Sequence, residues 1–271
     1  MIVSLQSLRF IFAVMIFLHH FTIDGEGLFY AGGPAGVSFF MILSGFVMSV
    51  GYGEKVQKSS FIYKTFLYKR LIRVYPLHLL CLFGVIFLSF SSLSLLECVK
   101  LLPNLMLLQS WIPLSSYYFS GNGVSWCLSC MLFFYIIFPF LIRGFQKCTN
   151  TTLWMLGLAI IIIYSFILYV LPNGGTHPLL YISPLFRVID FILGILLYKL
   201  YCKLELVGIG QKLRNLPFSA KSVCELCIVL LLVAMLFVCA DIPKRYTYAS
   251  YWWLIMPWFI MLFSLFDYSG G

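Results

Sequence analysis

The chain has 271 residues, of which 62% are hydrophobic, 18% aromatic and only 10% charged, and its mean hydropathy is +1.00. This composition excludes an ordinary soluble domain, in which about a quarter of the residues are charged, and requires several membrane spans rather than one anchor. The net charge of +9 does not indicate a nucleic-acid partner, because the cations recur in short clusters between apolar runs, as juxtamembrane Lys and Arg do.

The apolar runs predict an all-α, polytopic membrane protein with about eight transmembrane helices. The first run lacks a basic leader and a small-residue cleavage site, so we expect it to remain as a span. Segment 101–119 contains Pro103 and Pro113 and is expected to be interfacial or half-inserted. The predicted spans are 8–23, 35–50, 71–91, 124–142, 153–171, 181–200, 223–240 and 250–266.

Lys and Arg are distributed unevenly among the predicted loops. The loops 51–70, 143–152 and 199–222, together with Arg73 just beyond the first of them, carry 13 cations, whereas the opposite loops carry three. Because cytoplasmic loops are enriched in Lys and Arg, the first set is expected to be cytoplasmic. Both termini are then cytoplasmic and the span count is even.

The first span places two ionisable residues on one face. Eleven steps from Arg9 to His20 turn an α-helix by about 1,100°, which is three turns plus about 20°, with a rise of about 16 Å. His19 lies about 80° from Arg9 around the helix. Ionisable groups at membrane depth usually mark a function; the alternative is a snorkelling Arg and an interfacial His pair.

Two further segments combine small or cationic residues with a span. Segment 31–46 is rich in glycine and contains Ser44-Gly45, which predicts close packing of helices inside the bilayer. Arg70 and Arg73 are i, i+3 neighbours, so two guanidinium groups could hold one polyphosphate. The alternative for this pair is simple positive-inside anchoring, which is also how we interpret Lys69.

A third segment, 184–194, carries Arg187 and Asp190 one helical turn apart. Each is expected to neutralise the other, either as a structural ion pair or as a pair that contacts substrate. Nine cysteines lie mostly within apolar runs, where Cys behaves as a small hydrophobe. Cys224 and Cys227 form a CxxC without a partner motif, so no metal or redox site is predicted.

Taken in order, these motifs resemble those of the integral membrane acyltransferases of the acyltransferase 3 family. The resemblance covers nearly the whole chain and includes the bacterial O-acetyltransferases that modify lipopolysaccharide O-antigen, exopolysaccharide and related glycans. The motifs that carry it are Arg9-x10-His20, the Gly-rich start of the second span, Arg70-x-x-Arg73 followed by Tyr75-Pro76, the stretch from Ser125 to Pro139, and the stretch from Pro184 to Gly194.

The resemblance implies one membrane acyltransferase domain over residues 1–271, in the bacterial inner membrane. It would move an acyl group, acetyl in the O-acetyltransferases that it resembles, from cytoplasmic acyl-CoA to a hydroxyl of a cell-surface glycan or its lipid-linked precursor. The implied co-substrate is acetyl-CoA or another acyl-CoA, without a metal. The implied partners are the lipid bilayer, the glycan acceptor and the acyl-CoA.

The same resemblance implies roles for individual residues. His20 would be the catalytic imidazole, as general base or transient acyl carrier, and Arg9 would orient substrate or donor. Arg70 and Arg73 would bind the phosphates of coenzyme A. The residues implied to contact the acceptor are Trp126, Ser129, Arg187 and Asp190.

The chain also departs from the family pattern. Met131 stands where members usually carry an acid, and Ser38 stands where an Asp is common. Members usually have about ten spans, so the domain is expected to be shortened at its C-terminus. Two alternatives are therefore an inactive truncated member and a small-molecule transporter, although no paired halves typical of transporters are visible.

Overall fold

The computed structural model describes residues 3–23, 26–89 and 94–266. Most of these residues are helical, because a chain in hydrocarbon must satisfy its backbone hydrogen bonds internally. The helices are α1 (Val3–His20), α2 (Gly32–Tyr52), α3 (Tyr63–Leu88), α4 (Leu95–Leu105), α5 (Ser115–Tyr118), α6 (Trp126–Lys147), α7 (Asn150–Val170), α8 (Asn173–Thr176), α9 (Pro184–Leu206), α10 (Ile209–Arg214), α11 (Phe218–Val238), α12 (Lys244–Thr247) and α13 (Met256–Phe266).

Short elements connect these helices. Strands β1 (Thr22–Ile23) and β2 (Glu26–Gly27) pair antiparallel after α1. A π-helical turn, His177–Ile182, precedes α9. Single 3-10 turns occupy Lys55–Gln57, Gln109–Trp111, Gly123–Ser125, Cys239–Asp241 and Trp252–Leu254.

The structure confirms an all-α, multi-pass membrane protein. Each of the eight predicted apolar segments coincides with an apolar helix or helix pair. Segment 101–119 holds the end of α4, the 3-10 turn Gln109–Trp111 and the short helix α5, so it adds no span of its own. Five helices of the described chain are long and apolar enough to cross a bilayer: Gly32–Tyr52, Tyr63–Leu88, Gly123–Lys147, Thr151–Val170 and Phe218–Asp241.

The remaining three predicted spans are less regular. Gly174–Ile182 and Pro184–Leu206 meet at an angle of 44° and together give a sixth candidate. Ser4–His20 and Trp252–Phe266 are shorter apolar helices. The described part of the chain therefore provides five or six spans by length and composition, and the predicted eight are reached only if both shorter helices also cross the membrane.

The chain divides into two compact units. One comprises residues 1–50 and 190–271, and the other comprises residues 51–189. We refer to them as the terminal unit and the central unit.

The terminal unit has an aromatic and small-residue core. Phe12 of α1 stacks on Phe39 of α2 with 3.9 Å between ring centroids. The helices α2 and α9 approach so closely that a Cβ on Gly45 would overlap the main-chain carbonyl of Phe191. Lipid tails are as apolar as these side chains, so close packing rather than exclusion of water stabilises the contact. The predicted small-residue packing around Gly45 is confirmed.

The central unit is built around α3 and α6. Phe66 of α3 stacks on Phe138 of α6 at 6.0 Å, and both rings are buried. The Tyr63 hydroxyl donates to the Ile136 carbonyl at 3.2 Å. Near the end of α6, Arg143 Nε and Nη2 both donate to the Val56 carbonyl, at 3.1 and 3.0 Å. These contacts fix the connection between α2 and α3 against α6.

Candidate active site

The helix α1 carries Arg9 and His20 in the terminal unit. It is continuous from Val3 to His20, so the two side chains share a face about 16 Å apart along the axis. Arg9 is half-buried, and its Nη1 donates to Gln6 Oε1 at 3.1 Å. His20 is exposed. Its catalytic role remains a prediction.

The neighbouring imidazole, His19, lies on the core-facing stripe of α1. The ring rests on Gly33 of α2, where an added Cβ would be 2.7 Å from His19 Cγ. His19 Nδ1 is buried and has no hydrogen-bond partner among the described residues. The ring centroids of His19 and His20 are 5.0 Å apart. The apolar residues of the same stripe are Leu5, Leu8, Phe12 and Met15.

The structure thus separates the two histidines. His19 is held by packing, whereas His20 lies about 100° further around the helix, on the side of Arg9. The glycines at the start of α2 allow the approach: a Cβ at Gly32 would overlap the Met15 carbonyl, and one at Gly36 would be 2.5 Å from Ile16 Cγ1. The predicted role of these glycines in close backbone approach is confirmed.

The helix α3 carries Arg70 and Arg73 in the central unit. The Arg70 guanidinium carbon lies 4.5 Å from the ring centroid of Tyr52 and 6.0 Å from that of Tyr135. Cation–π contacts of this kind favour Arg over Lys. Arg70 Nε is buried without a hydrogen-bond partner in the described part of the chain. Arg73 is exposed, so the two guanidinium groups have different surroundings.

The first turn of α6 carries Trp126 and Ser129. Trp126 is 4% exposed, and its ring lies 4.9 Å from that of Tyr181. The Arg187 guanidinium lies 5.8 Å from the same Tyr181 ring. The structure therefore brings two predicted acceptor residues, Trp126 and Arg187, to one tyrosine. Ser129 is fully buried, and its hydroxyl makes no hydrogen bond within the described residues.

The helix α9 carries both Arg187 and Asp190, and both side chains are fully buried. Asp190 belongs to the terminal unit, where its Oδ1 accepts a short hydrogen bond from the indole Nε1 of Trp253. Arg187 belongs to the central unit. Buried charges of this kind need partners. The predicted Arg187–Asp190 ion pair and its substrate contact remain predictions.

A Tyr–His pair in the central unit was not among the predicted residues. The Tyr118 hydroxyl lies 3.3 Å from His177 Nδ1. Desolvation raises the pKa of Tyr118, which keeps the hydroxyl protonated and able to donate. The rings of Phe119 and Tyr181 lie 6.0 and 5.4 Å from His177. Because 59 residues separate the pair, no local pattern could have indicated it.

A buried polar cluster supports the start of α6 and was also missed. Asn104 Nδ2 and Gln109 Nε2 donate to Ser125 Oγ, at 3.2 and 3.1 Å. Ser110 Oγ donates to the Trp126 carbonyl at 2.7 Å. Buried amides need such partners, and these hydrogen bonds fix the position of Trp126. An Asn and a Gln within the apolar segment 101–119 were the available sequence signal.

Within residues 3–23, 26–89 and 94–266, no group of three or more His, Cys, Asp or Glu side chains is placed to hold a metal ion. The predicted absence of a metal from the reaction remains a prediction.

The fold and these side chains define a polytopic membrane protein with a cationic central unit and with Arg9 and His20 on one face of α1. The model of a family described as an acyltransferase domain, acyltransferase 3, matches residues 2–270. The chain therefore belongs to the acyltransferase 3 family, which confirms the resemblance found from the motifs.

One curated relative supports the same assignment. The chain is 31% identical over 221 residues to a protein named acyltransferase MdmB from Streptomyces mycarofaciens. The match covers 72% of this chain. The chain spans only 56% of the length of that relative. No solved structure matches the chain.

Proposed function

We propose that this protein transfers an acyl group, acetyl in the first instance, from cytoplasmic acyl-CoA to a hydroxyl of a cell-surface glycan or its lipid-linked precursor. The observation that carries the proposal is the family match over residues 2–270, which includes Arg9, His20, Arg70 and Arg73. Lipopolysaccharide O-antigen and exopolysaccharide are the acceptors that the motif resemblance favours.

The chemical step needs one base. A glycan hydroxyl oxygen attacks the thioester carbonyl, the new O–C bond replaces the C–S bond, and the thiolate of coenzyme A leaves. His20 accepts the hydroxyl proton and returns it to the thiolate. In the alternative form, His20 carries the acyl group transiently before the hydroxyl attacks. An exposed imidazole next to a packed one is available for either form.

Donor binding is assigned to the central unit. Arg70 is stacked on Tyr52 and keeps its Nε free for a new acceptor, and Arg73 is exposed one turn later. Guanidinium groups bind phosphate oxygens with two parallel hydrogen bonds. Arg9, on the face of α1 that carries His20, would orient substrate or donor.

Acceptor binding is assigned to the aromatic residues around Tyr181. Trp126 and Arg187 both contact this ring, and Tyr118 with His177 adds two polar groups near it. Aromatic rings with polar edges suit ligands that have apolar faces and hydroxyl rims, as sugars do. Ser129 of the central unit is also proposed to contact the acceptor, and Asp190 of the terminal unit is proposed as an acceptor residue from the motif resemblance alone.

The orientation and the donor can be tested together. We propose an inner-membrane location with both termini cytoplasmic, because one set of loops carries 13 cations and the opposite set carries three. Acetyl-CoA added to inverted membrane vesicles that contain the protein and its glycan should release free coenzyme A thiol. Sealed right-side-out vesicles should not release it until they are permeabilised. Equal release from both intact vesicle types would contradict the orientation, and no release from either would contradict acyl-CoA as donor.

A further inference from the structure

A pocket in the central unit is lined by none of the predicted catalytic, donor or acceptor residues. It lies between the connection after α2 and the first two turns of α3, and its volume is about 250 Å³. Its lining combines cationic and aromatic side chains: Lys55, Lys58, Lys69, Tyr52, Phe61 and Phe66.

The charge of this pocket is uncompensated. Residues 51–70 contain five cations and one carboxylate, Glu54, and Glu54 does not line the pocket. The three lining lysines are exposed. None of them has a carboxylate partner among the residues that the structure describes. Lysines placed only to anchor a loop at the membrane surface need no shared pocket, so their convergence indicates an anionic ligand.

The pocket is too small for a whole nucleotide cofactor. Sites for drug-sized ligands measure roughly 300–1,000 Å³, and 250 Å³ would hold one end of a larger molecule. Its aromatic walls can contact a flat ring, and Ser60 and Thr65, which also line it, can donate to phosphate oxygens. A phosphate monoester carries about −1.5 to −2 charges, which three ammonium groups can neutralise.

We propose that this pocket binds a phosphate monoester, namely the 3′-phosphate on the adenosine end of acyl-CoA. The inference rests on the proposed function, since it specifies how that donor is held. Tyr52 connects the pocket to Arg70, because its ring lines the pocket and lies 4.5 Å from the Arg70 guanidinium carbon. The adenosine end would then lie in the pocket, and the diphosphate would extend toward Arg70.

A comparison of two donors tests this assignment. With the purified protein, acetyl-CoA should have a KM about tenfold or more below that of 3′-dephospho-acetyl-CoA, because several charge-assisted hydrogen bonds are lost. The combined Lys55→Gln, Lys58→Gln and Lys69→Gln variant should bring the two KM values together and leave kcat unchanged. The matched control is Lys64→Gln, a cation of the same segment outside the pocket lining, which should preserve the difference.

A binding measurement separates failure of the pocket from failure of the proposed function. By calorimetry, the wild-type protein should bind adenosine 3′,5′-bisphosphate more tightly than adenosine 5′-monophosphate, and added salt should weaken the binding. The triple variant should lose this preference, and Lys64→Gln should keep it. Preferential binding without any thiol release would retain the pocket assignment and overturn the acyl-transfer proposal. Thiol release with equal KM values for both donors would retain the acyl-transfer proposal and overturn the pocket assignment.

An anionic lipid headgroup is the other source of a phosphate monoester. Protein in phosphatidylcholine nanodiscs should bind the bisphosphate equally well with and without phosphatidic acid. Loss of bisphosphate binding only when phosphatidic acid is present would assign the pocket to a lipid and overturn the proposal.

Discussion

Replacing His20 with alanine should abolish acyl transfer to the glycan while the protein remains inserted at normal abundance. Loss of a general base lowers a rate by about 100- to 10,000-fold, and loss of an acyl carrier would remove the reaction altogether. Because His20 is exposed, its removal leaves no cavity in the core. The measurement is the O-acyl content of the glycan by mass spectrometry, alongside the amount of protein in the membrane.

The control is the adjacent histidine. His19 packs on Gly33, and its Nδ1 is buried, so His19→Ala should lower stability and abundance but keep most of the activity per molecule. Equal loss of specific activity in both variants would contradict the helix-phase argument. Full activity in His20→Ala would refute the proposed role of the imidazole.

Replacing Arg70 with lysine should raise the KM for acyl-CoA with little change in kcat. The substitution keeps the charge but loses the stacking on Tyr52, where the guanidinium carbon now lies 4.5 Å from the ring centroid. The expected cost is about 1–3 kcal/mol of donor binding. Initial rates at varied acetyl-CoA concentration provide the measurement.

Arg73→Lys is the matched comparison, since Arg73 lies three residues away and is exposed. Replacing its planar guanidinium with an ammonium group should therefore cost less binding free energy. Its KM should rise less than that of Arg70→Lys. Unchanged donor affinity in the double alanine variant would reduce both residues to topology anchors.

Much of the fold followed from the sequence. Apolar runs of spanning length can form only helices in a bilayer, so the positions of α2, α3, α6, α7 and α11 were predictable. The close approach at Gly33 and Gly45 was also predictable, because only glycine permits it.

The sequence could not decide which face of α1 packs. Helical periodicity gives the angles between Arg9, His19 and His20 around α1. Which face of α1 packs against the core depends on where α2 lies. The structure places His19 against Gly33, a distinction that the sequence angles alone did not supply.

Sites assembled from residues that are distant in the chain could also not be predicted from the sequence. The hydrogen bond between Tyr118 and His177 and the one between Gln109 and Ser125 depend on how α6 and its neighbours pack. The lysine pocket depends on the path of the chain between α2 and α3. Charge counting had assigned Lys69 only to topology, whereas the structure places it in the lining of this pocket.

The most direct test of acyl transfer compares one bacterial strain lacking its native copy, with and without this chain, grown on isotope-labelled acetate. The wild-type protein should add labelled acyl groups to a surface glycan, seen by mass spectrometry as an alkali-labile mass increase that His20→Ala does not produce. An identical glycan mass with and without the correctly inserted wild-type protein would contradict the proposed O-acyltransferase function.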